Sequence, residues 1–312
     1  MQHRDPELTH VAMLMGGWSN EREVSLSSGK ACTRGLEEAG FKVTQVDVKP
    51  DIIEQLRDLK PDVAFNALHG KWGEDGHIQA ILETMKIPYT HSGLLASALA
   101  MDKHLCKSVV ARVKVPVVQH QVVYLYEAID HDVLPLPYVV KPVADGSSVG
   151  VHIVDRGTNS LASMIEGEGF EPDSKVMVER YVPGRELTCA VMGNAALAVT
   201  DILSKVGFYD YTAKYKPGGS QHILPADIPA SVYRRVQKYA LAAHNELGCR
   251  GVTRSDFRYN DSEGPDGELI FMEINTQPGM TPTSLVPEMA VHAGHSFPQL
   301  LTWMINDAGL DR

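Results

Sequence analysis

Residues Gly251–Gly279 read "GVTRSDFRYNDSEGPDGELIFMEINTQPG". "GVTRSDFRYN" and "ELIFMEIN" are strand-like, and the "DSEGPDG" between them is a cluster of turn formers. The pattern predicts an antiparallel hairpin. Opposed residues in such a pair keep a constant sum of positions. Arg254 with Asn275 and Asp256 with Glu273 satisfy one register, which centres the turn between Gly264 and Pro265. Side chains alternate along a strand. Arg254 and Asp256 therefore share a face, as do Glu273 and Asn275, while Phe257, Met272 and Ile274 take the other face, which suits a core. A cation, two carboxylates and an amide on one face match magnesium, which favours oxygen donors and is usually held by one or two carboxylates plus substrate phosphates. Arg254 is then placed to face a transferred phosphoryl group. On spacing alone, the same face reads equally as a surface ladder of charges.

Outward from the hairpin, the chain has 312 residues, more than one core usually holds, so two or three subdomains are expected. The net charge of -10 argues against a broad nucleic-acid or anionic-membrane surface, so any phosphate site must be local. No apolar run is long enough to span a bilayer, and "MQHRDPELTH" lacks an apolar signal core. Cys32, Cys106, Cys189 and Cys249 form no CxxC pair, which points to reduced thiols and a cytoplasmic location.

Along the first hundred residues strands and helices alternate. "HVAMLMGG", "FKVTQVDV", "PDVAFNALHG" and "IPYT" read as strands. "SNEREVSLSSGKACTRGLEEAG", "DIIEQLRDLK" and "HIQAILETMK" hold helices between them. Alternation predicts an open parallel α/β sheet. "LLASALAMDKHLCKSVVARV" reads as one helix crossing the boundary near residue 100. Beyond it come closely spaced strands, "PYVVKP", "VGVHIV", "KVMVERYV", "RELTCAVMG" and "AALAVTDIL", which predict mostly antiparallel sheet. "SKVGFYDYTAKYKPGGSQ" lacks a clear period, as functional lids often do. "ASVYRRVQKYALAAHNELG" and "FPQLLTWMINDAG" read as helices.

Three further segments carry chemistry. In "VVKPVADGSSVGVHIV", Lys141 ends a strand beside a loop whose Gly146, Ser147, Ser148 and Gly150 offer backbone N–H and hydroxyl donors. Such a loop can hold a nucleotide triphosphate, though it is no Walker loop; a surface hairpin with a solvated lysine fits the segment as well. Lysine, glycine-serine loop and metal hairpin together suggest ATP with Mg²⁺. "GGWSNEREVSLSSG" puts Glu21 after a strand, where ligands bind in open parallel sheets and where an ammonium group could be received. Glu21 and Glu23 equally suit a helix N-terminus. "NALHGKWGEDG" places His69 in the corresponding position after the third strand.

These segments, with "GLLASALAMDKHLCK", "FYDYTAKY", "TRSDF" and "MEINTQPGMTPTSLVP", resemble in this order the D-alanine–D-alanine ligases of the ATP-grasp superfamily over nearly the whole chain. The resemblance implies an ATP-grasp fold: an N-terminal α/β domain (1–100), a central subdomain (101–185), and a C-terminal subdomain (186–312) with a lid near 205–220. It implies that Lys103 and Lys141 contact ATP phosphates and that Ser147 and Ser148 belong to the nucleotide loop. Glu179, Arg180, Tyr181 and Val182 would line the adenine, with Met272 also at the nucleotide. Glu186 would hold the ribose and Lys214 the γ-phosphate. Asp256, Glu273 and Asn275 would bind two Mg²⁺ ions, with Mn²⁺ able to substitute. Glu21 would take the ammonium of the first D-alanine, with His69 in the substrate site. Ser284 and Leu285 would hold the carboxylate of the second. Ser147 and Tyr215 would join Glu21 in a hydrogen-bonded triad, and Arg254 with the Gly279 N–H would stabilise the tetrahedral oxyanion. Arg180 stands where the family commonly has lysine, Asp145 where glutamate is usual, and "TRSD" where "GRID" is commoner; the Arg-x-Asp spacing survives.

The activity implied is ATP-dependent joining of two D-alanines through a D-alanyl phosphate, for peptidoglycan precursor synthesis, by a homodimer. The rivals are a depsipeptide ligase using D-lactate, disfavoured by Tyr215, and a non-catalytic nucleotide-binding regulator, disfavoured by Arg254, Asp256, Glu273 and Asn275. No H-R-D or D-F-G marks a protein kinase.

Overall fold

The change of periodicity along the chain becomes three sheets. The computed structural model describes residues 3–144, 150–157, 160–166, 171, 173–204, 220–264, 266–281 and 283–310. In the first sheet, β1 (His10–Gly16) lies between β2 (Lys42–Val48) and β3 (Val63–Asn66), all parallel. Tyr89 of the expected fourth strand contributes only single bridges, to Ala64 and Gly309. Helices α1 (Arg22–Glu38), α2 (Ile52–Leu59) and α3 (His77–Met85) make the crossovers. β1 is apolar along its length because both faces are covered: Val11, Met13 and Met15 point into one core, Ala12 and Leu14 into another.

The stretch expected as one helix is two, α4 (Leu94–Met101) and α5 (Lys103–Ala111). Asp102 breaks it. Its backbone is extended, and its side chain accepts the Leu105 N–H at 2.9 Å as an N-cap. The break lets Lys103 begin a helix aimed at the cleft, with its own N–H bonded to Val143 O.

The second sheet has the order β4 (His120–Tyr124), β7 (Lys175–Arg180), β5 (Tyr138–Pro142), β6 (His152–Val154), all antiparallel. Helices α6 (Leu125–Asp130) and α7 (Leu161–Met164) join its core with Tyr138, Val140, Val176 and Val178. The opposite face carries Val139, Lys141, Met177 and Glu179, as the pairs Val139–Glu179 and Lys141–Met177 require.

The third sheet runs β10 (Ser220–Ile223), β9 (Ala195–Ser204), β8 (Arg185–Met192), β11 (Val252–Asn260), β12 (Glu268–Asn275). Helix α8 (Ala230–Glu246) packs Val232, Val236, Ala240 and Ala243 beneath it. Two C-terminal helices, α9 (Leu285–His292) and α10 (Phe297–Asp307), return to the first sheet. Leu285, Val286, Met289, Leu300, Leu301, Met304 and Ile305 share one core with Val11, Met13, Phe65 and the third-sheet residues Ala190 and Val252. That shared core brings the C-terminal ends of β1 and β3 beside the hairpin.

Candidate active site

The hairpin has the expected register where it matters: Arg254 opposes Asn275 and Asp256 opposes Glu273. Between Asp256 and Phe257 the register shifts, so Phe257 opposes Phe271 and Met272 has no partner. This corrects the expectation that Met272 faces the core. A bulge puts two consecutive side chains on nearly the same side; Phe271 takes the core place against Phe257, ring centres 5.8 Å apart, while Met272 packs with Val118, Val182 and Ile270.

On the functional face, Arg254 Nε and Nη2 donate to Asp256 Oδ1 and Oδ2 at 2.9 and 2.8 Å. Thr188, cross-strand from Asp256, donates its hydroxyl to Oδ1 at 2.6 Å. Lys103 Nζ lies 3.9 Å from Glu273 Oε2. Asn275 Oδ1 accepts the Gln277 N–H at 2.7 Å, which fixes the amide. Among the described residues no three of His, Cys, Asp and Glu gather to hold a metal alone. Asp256, Glu273 and Asn275 offer oxygen donors only, a set that fits Mg²⁺ when phosphate oxygens and water complete its shell. Arg254 already occupies Asp256, so an incoming cation there would compete with it.

The ends of β1 and β3 converge on this face. Gln277 Nε2 donates to the carbonyls of Asn66 and Leu68, and Asn66 Nδ2 donates to Gln277 Oε1 at 2.7 Å. Glu21 stands buried at the start of α1. Gly70 holds a left-handed φ of +68°, and a Cβ there would sit 2.6 Å from Glu21 Oε2. The Gly70 N–H donates to Glu74 Oε1 at 2.6 Å. Burial and the neighbouring charge of Glu21 push the Glu74 carboxyl well above the usual range, with the Gly70 N–H and then Arg254 acting against them. Glu74 was not singled out from sequence, although it lies within "ALHGKWGEDG". His69 is buried, and burial lowers it to about 4, so the ring is neutral near pH 7. Its Nε2 lies 3.1 Å from Ser28 Oγ, which accepts the Met280 N–H at 3.3 Å. Gly279 follows closely: a Cβ there would lie 3.0 Å from Ser284 Oγ. Ser284 precedes α9 and its side chain does not cap it; its Oγ instead accepts the Thr281 N–H at 2.9 Å. Among the described residues no side chain caps α9, and Pro287 has no N–H, so the Leu285 and Val286 N–H groups are those at its start suited to meet a carboxylate.

Between the second and third sheets Val118, Val182 and Ile270 are buried together in an apolar cluster, with Met272 packed against it. Polar groups rim it. Lys141 Nζ donates to Glu179 Oε1 at 2.6 Å, and Lys107 Nζ donates to Glu179 Oε2. Arg180 reaches out to Glu268 at 2.6 Å, and the Tyr181 N–H bonds Pro137 O. Glu186 lies 3.8 Å from Arg258 Nη1, while Arg258 also donates to the carbonyls of Val182 and Gly184. Lys107 was missed from sequence, although it stands one helical turn after Lys103 on the same face of α5. Asp145, Ser147, Ser148, Lys214, Tyr215 and residues 205–219 of the expected lid lie outside the described residues.

Comparison with known proteins bears on this arrangement. The family model described as D-ala D-ala ligase C-terminus matches residues 109–306, and that for the D-ala D-ala ligase N-terminus matches residues 51–92. The chain belongs to the D-alanine–D-alanine ligase family. It is 54% identical to a D-alanine–D-alanine ligase of Parvibaculum lavamentivorans over 97% of this chain and 98% of that protein. Against one from Xanthobacter autotrophicus it is 56% identical over 97% and 99%. Its fold, α/β of the ATP-grasp type, is that of the Bacillus anthracis D-alanine–D-alanine ligase complexed with ATP: TM-score 0.80, 32% identity, covering 96% of this chain and 97% of that one. A D-Ala:D-Ser ligase, VanG of Enterococcus faecalis, matches with TM-score 0.76 and 31% identity over 95% and 98%. As a family member the chain is a ligase, and peptidoglycan synthesis follows from the family.

Proposed function

We propose that this chain joins two D-alanines at the expense of ATP, through a D-alanyl phosphate, to give D-alanyl-D-alanine for peptidoglycan. The observation that carries the reading is the convergence on one cleft of the Arg254–Asp256/Glu273–Asn275 face, Lys103, and the Glu21 corner of the first sheet. A carboxylate is a poor acylating agent, and transfer of the γ-phosphoryl group to it needs charge neutralisation more than acid–base chemistry. In this reading the adenine lies against the apolar cluster of Val118, Val182, Ile270 and Met272, with Glu179 to Val182 at its edge and Glu186 at the ribose. Lys103, Lys141 and Lys214 hold phosphates, with the Ser147–Ser148 loop beside them. Asp256, Glu273 and Asn275 hold Mg²⁺, which when bound neutralises the triphosphate.

Glu21 receives the ammonium of the first D-alanine, and Ser147 and Tyr215 complete its network. Ser284, Leu285 and the start of α9 take the carboxylate of the second, next to buried neutral His69. Its amine attacks the acyl carbon; the C–N bond forms, phosphate leaves, and the amine proton is lost. Arg254 and the Gly279 N–H hold the tetrahedral oxyanion. Acyl phosphates hydrolyse, so the cleft must exclude water, the role given to residues 205–220. We divide the chain at residues 100 and 185 and expect a cytoplasmic homodimer, which light scattering would test. Among the described residues no helix is long and apolar enough to cross a membrane.

Tyr215 favours the amine over D-lactate. Tyr215→Phe should raise the depsipeptide share about tenfold, the worth of one buried hydrogen bond, and more so as pH falls. A competition between D-alanine and D-lactate from about pH 6 to 9 tests it; an unchanged ratio removes that role from Tyr215 and leaves the ligase reading standing. The reading as a whole is tested by coupled ADP release with D-alanine as sole amino acid.

A further inference from the structure

Two lysines and one glutamate form a buried cluster where α5 meets the second sheet. Lys107 is 0% exposed, Glu179 1% and Lys141 7%. Both oxygens of Glu179 are engaged, Oε1 by Lys141 and Oε2 by Lys107. Among the described residues, Lys107 Nζ otherwise meets only the Met177 sulfur, at 4.0 Å. Burial pushes the Glu179 carboxyl up, but the two lysines outweigh it and hold the group down at about 2. A fully buried ammonium is costly unless paired, and Lys107, sealed from the cleft, has no way to touch a ligand itself.

We propose that Lys107 is a positioning residue for the nucleotide: it is the standing counter-ion of Glu179, so that Lys141, bonded to Glu179 Oε1 in this structure, can exchange that oxygen for phosphate without leaving a buried carboxylate unpaired, and Oε1 is then presented to the amino group of adenine. The argument is one of charge and geometry. With Lys107 present the cluster carries two cations against one anion, so one positive charge remains for the triphosphate. Without it, Lys141 is the partner that keeps the buried Glu179 carboxylate neutralised, and it stays locked to Glu179. Lys141 and Glu179 share the cleft face of the second sheet, whereas Lys107 approaches from α5, the helix whose first residue is Lys103. One helix thus supplies a lysine to the cleft and, one turn on, the lysine that fixes the residues opposite. A carboxylate held this way accepts from the 6-amino group of adenine and repels the 6-oxo group of hypoxanthine. Lys107 therefore contributes to the choice of ATP over ITP.

This inference rests on the reading that places the adenine beside Glu179, and the test separates the two. Steady-state kinetics with ATP and with ITP, at saturating D-alanine, are measured for the wild type, Lys107→Met, Glu179→Gln and the double variant. Lys107→Met should raise KM for ATP about tenfold, the loss of one charge-assisted contact, with a smaller effect on kcat, and should narrow the ATP/ITP ratio of kcat/KM. In the Glu179→Gln background, the same substitution should add little. The inference is overturned if Lys107→Met lowers only thermal stability, or if it exerts its full effect on KM when Glu179 is already glutamine. Should Lys107→Met alone fail to fold, the double variant against Glu179→Gln decides, because it leaves no carboxylate without its partner. If Glu179→Gln itself leaves the ATP/ITP ratio unchanged, the adenine reading of Glu179 fails instead, and with it this role.

Discussion

Glu273 and Gly70 carry the most specific consequences of the site. Glu273→Gln removes one negative charge and keeps the shape, in a position 3.9 Å from Lys103. ADP production should nearly vanish while circular dichroism and melting temperature stay close to wild type; comparable turnover at any Mg²⁺ concentration would contradict the metal assignment. Gly70→Ala acts differently. It adds a Cβ that would fall 2.6 Å from Glu21 Oε2, at a φ of +68° that alanine disfavours. The Glu21 carboxylate must shift, so KM for the first D-alanine should rise on the order of tenfold or more, about 1.4 kcal/mol, with KM for ATP little changed. An equal rise in both would mean that the loop, not Glu21, was disturbed. At this scale the polar pairs were legible because cross-strand arithmetic needs only residue numbers. Met272 was misread because an unpaired residue leaves no mark in an alternating pattern. Glu74 and Lys107 were invisible for another reason: the charged groups they face, Glu21 and Arg254 for Glu74 and Glu179 for Lys107, are distant in sequence, and burial makes them matter.

Among the elements, α5 is the one whose start decides function. Asp102 caps it, and the residue after the cap is Lys103. Asp102→Ala should cost about 1 kcal/mol of stability, the usual worth of an N-cap, and should also weaken ATP binding, since fraying displaces Lys103. Urea unfolding and isothermal titration with a non-hydrolysable ATP analogue measure the two effects; lost stability with unchanged ATP affinity would detach the helix start from the phosphates. The periodicity of "LLASALAMDKHLCKSVVARV" stays apolar-helical through Asp102, which explains why one helix was expected. The break is visible only as an Asp three residues before Leu105. Strand and helix alternation in the first third, and the hairpin, were legible from pattern. The return of α9 and α10 to the first sheet was not, because an apolar stripe says that a partner exists and not which one.

The whole molecule carries a pH dependence. Burial lowers His69, His91 and His244 to about 4 from 6.5. The unfolded chain binds protons below 6.5 that the folded chain refuses until about 4, so the stability these histidines give is complete above 6.5 and is lost as pH falls through 4. Each contributes on the order of 3 kcal/mol across that window. Glu74, whose carboxyl is raised, works in the opposite sense, but one carboxyl stands against three imidazoles. Urea midpoints at about pH 7.5, 6 and 5 should fall steadily; a flat profile would contradict the burial of these rings in solution.

The central claim, that one cleft couples ATP cleavage to joining two D-alanines, is tested most directly by quantifying ADP and D-alanyl-D-alanine together with D-alanine or L-alanine supplied. The account predicts one ADP per dipeptide with D-alanine and neither product with L-alanine. ADP release without dipeptide, or equal turnover with the two enantiomers, would contradict it.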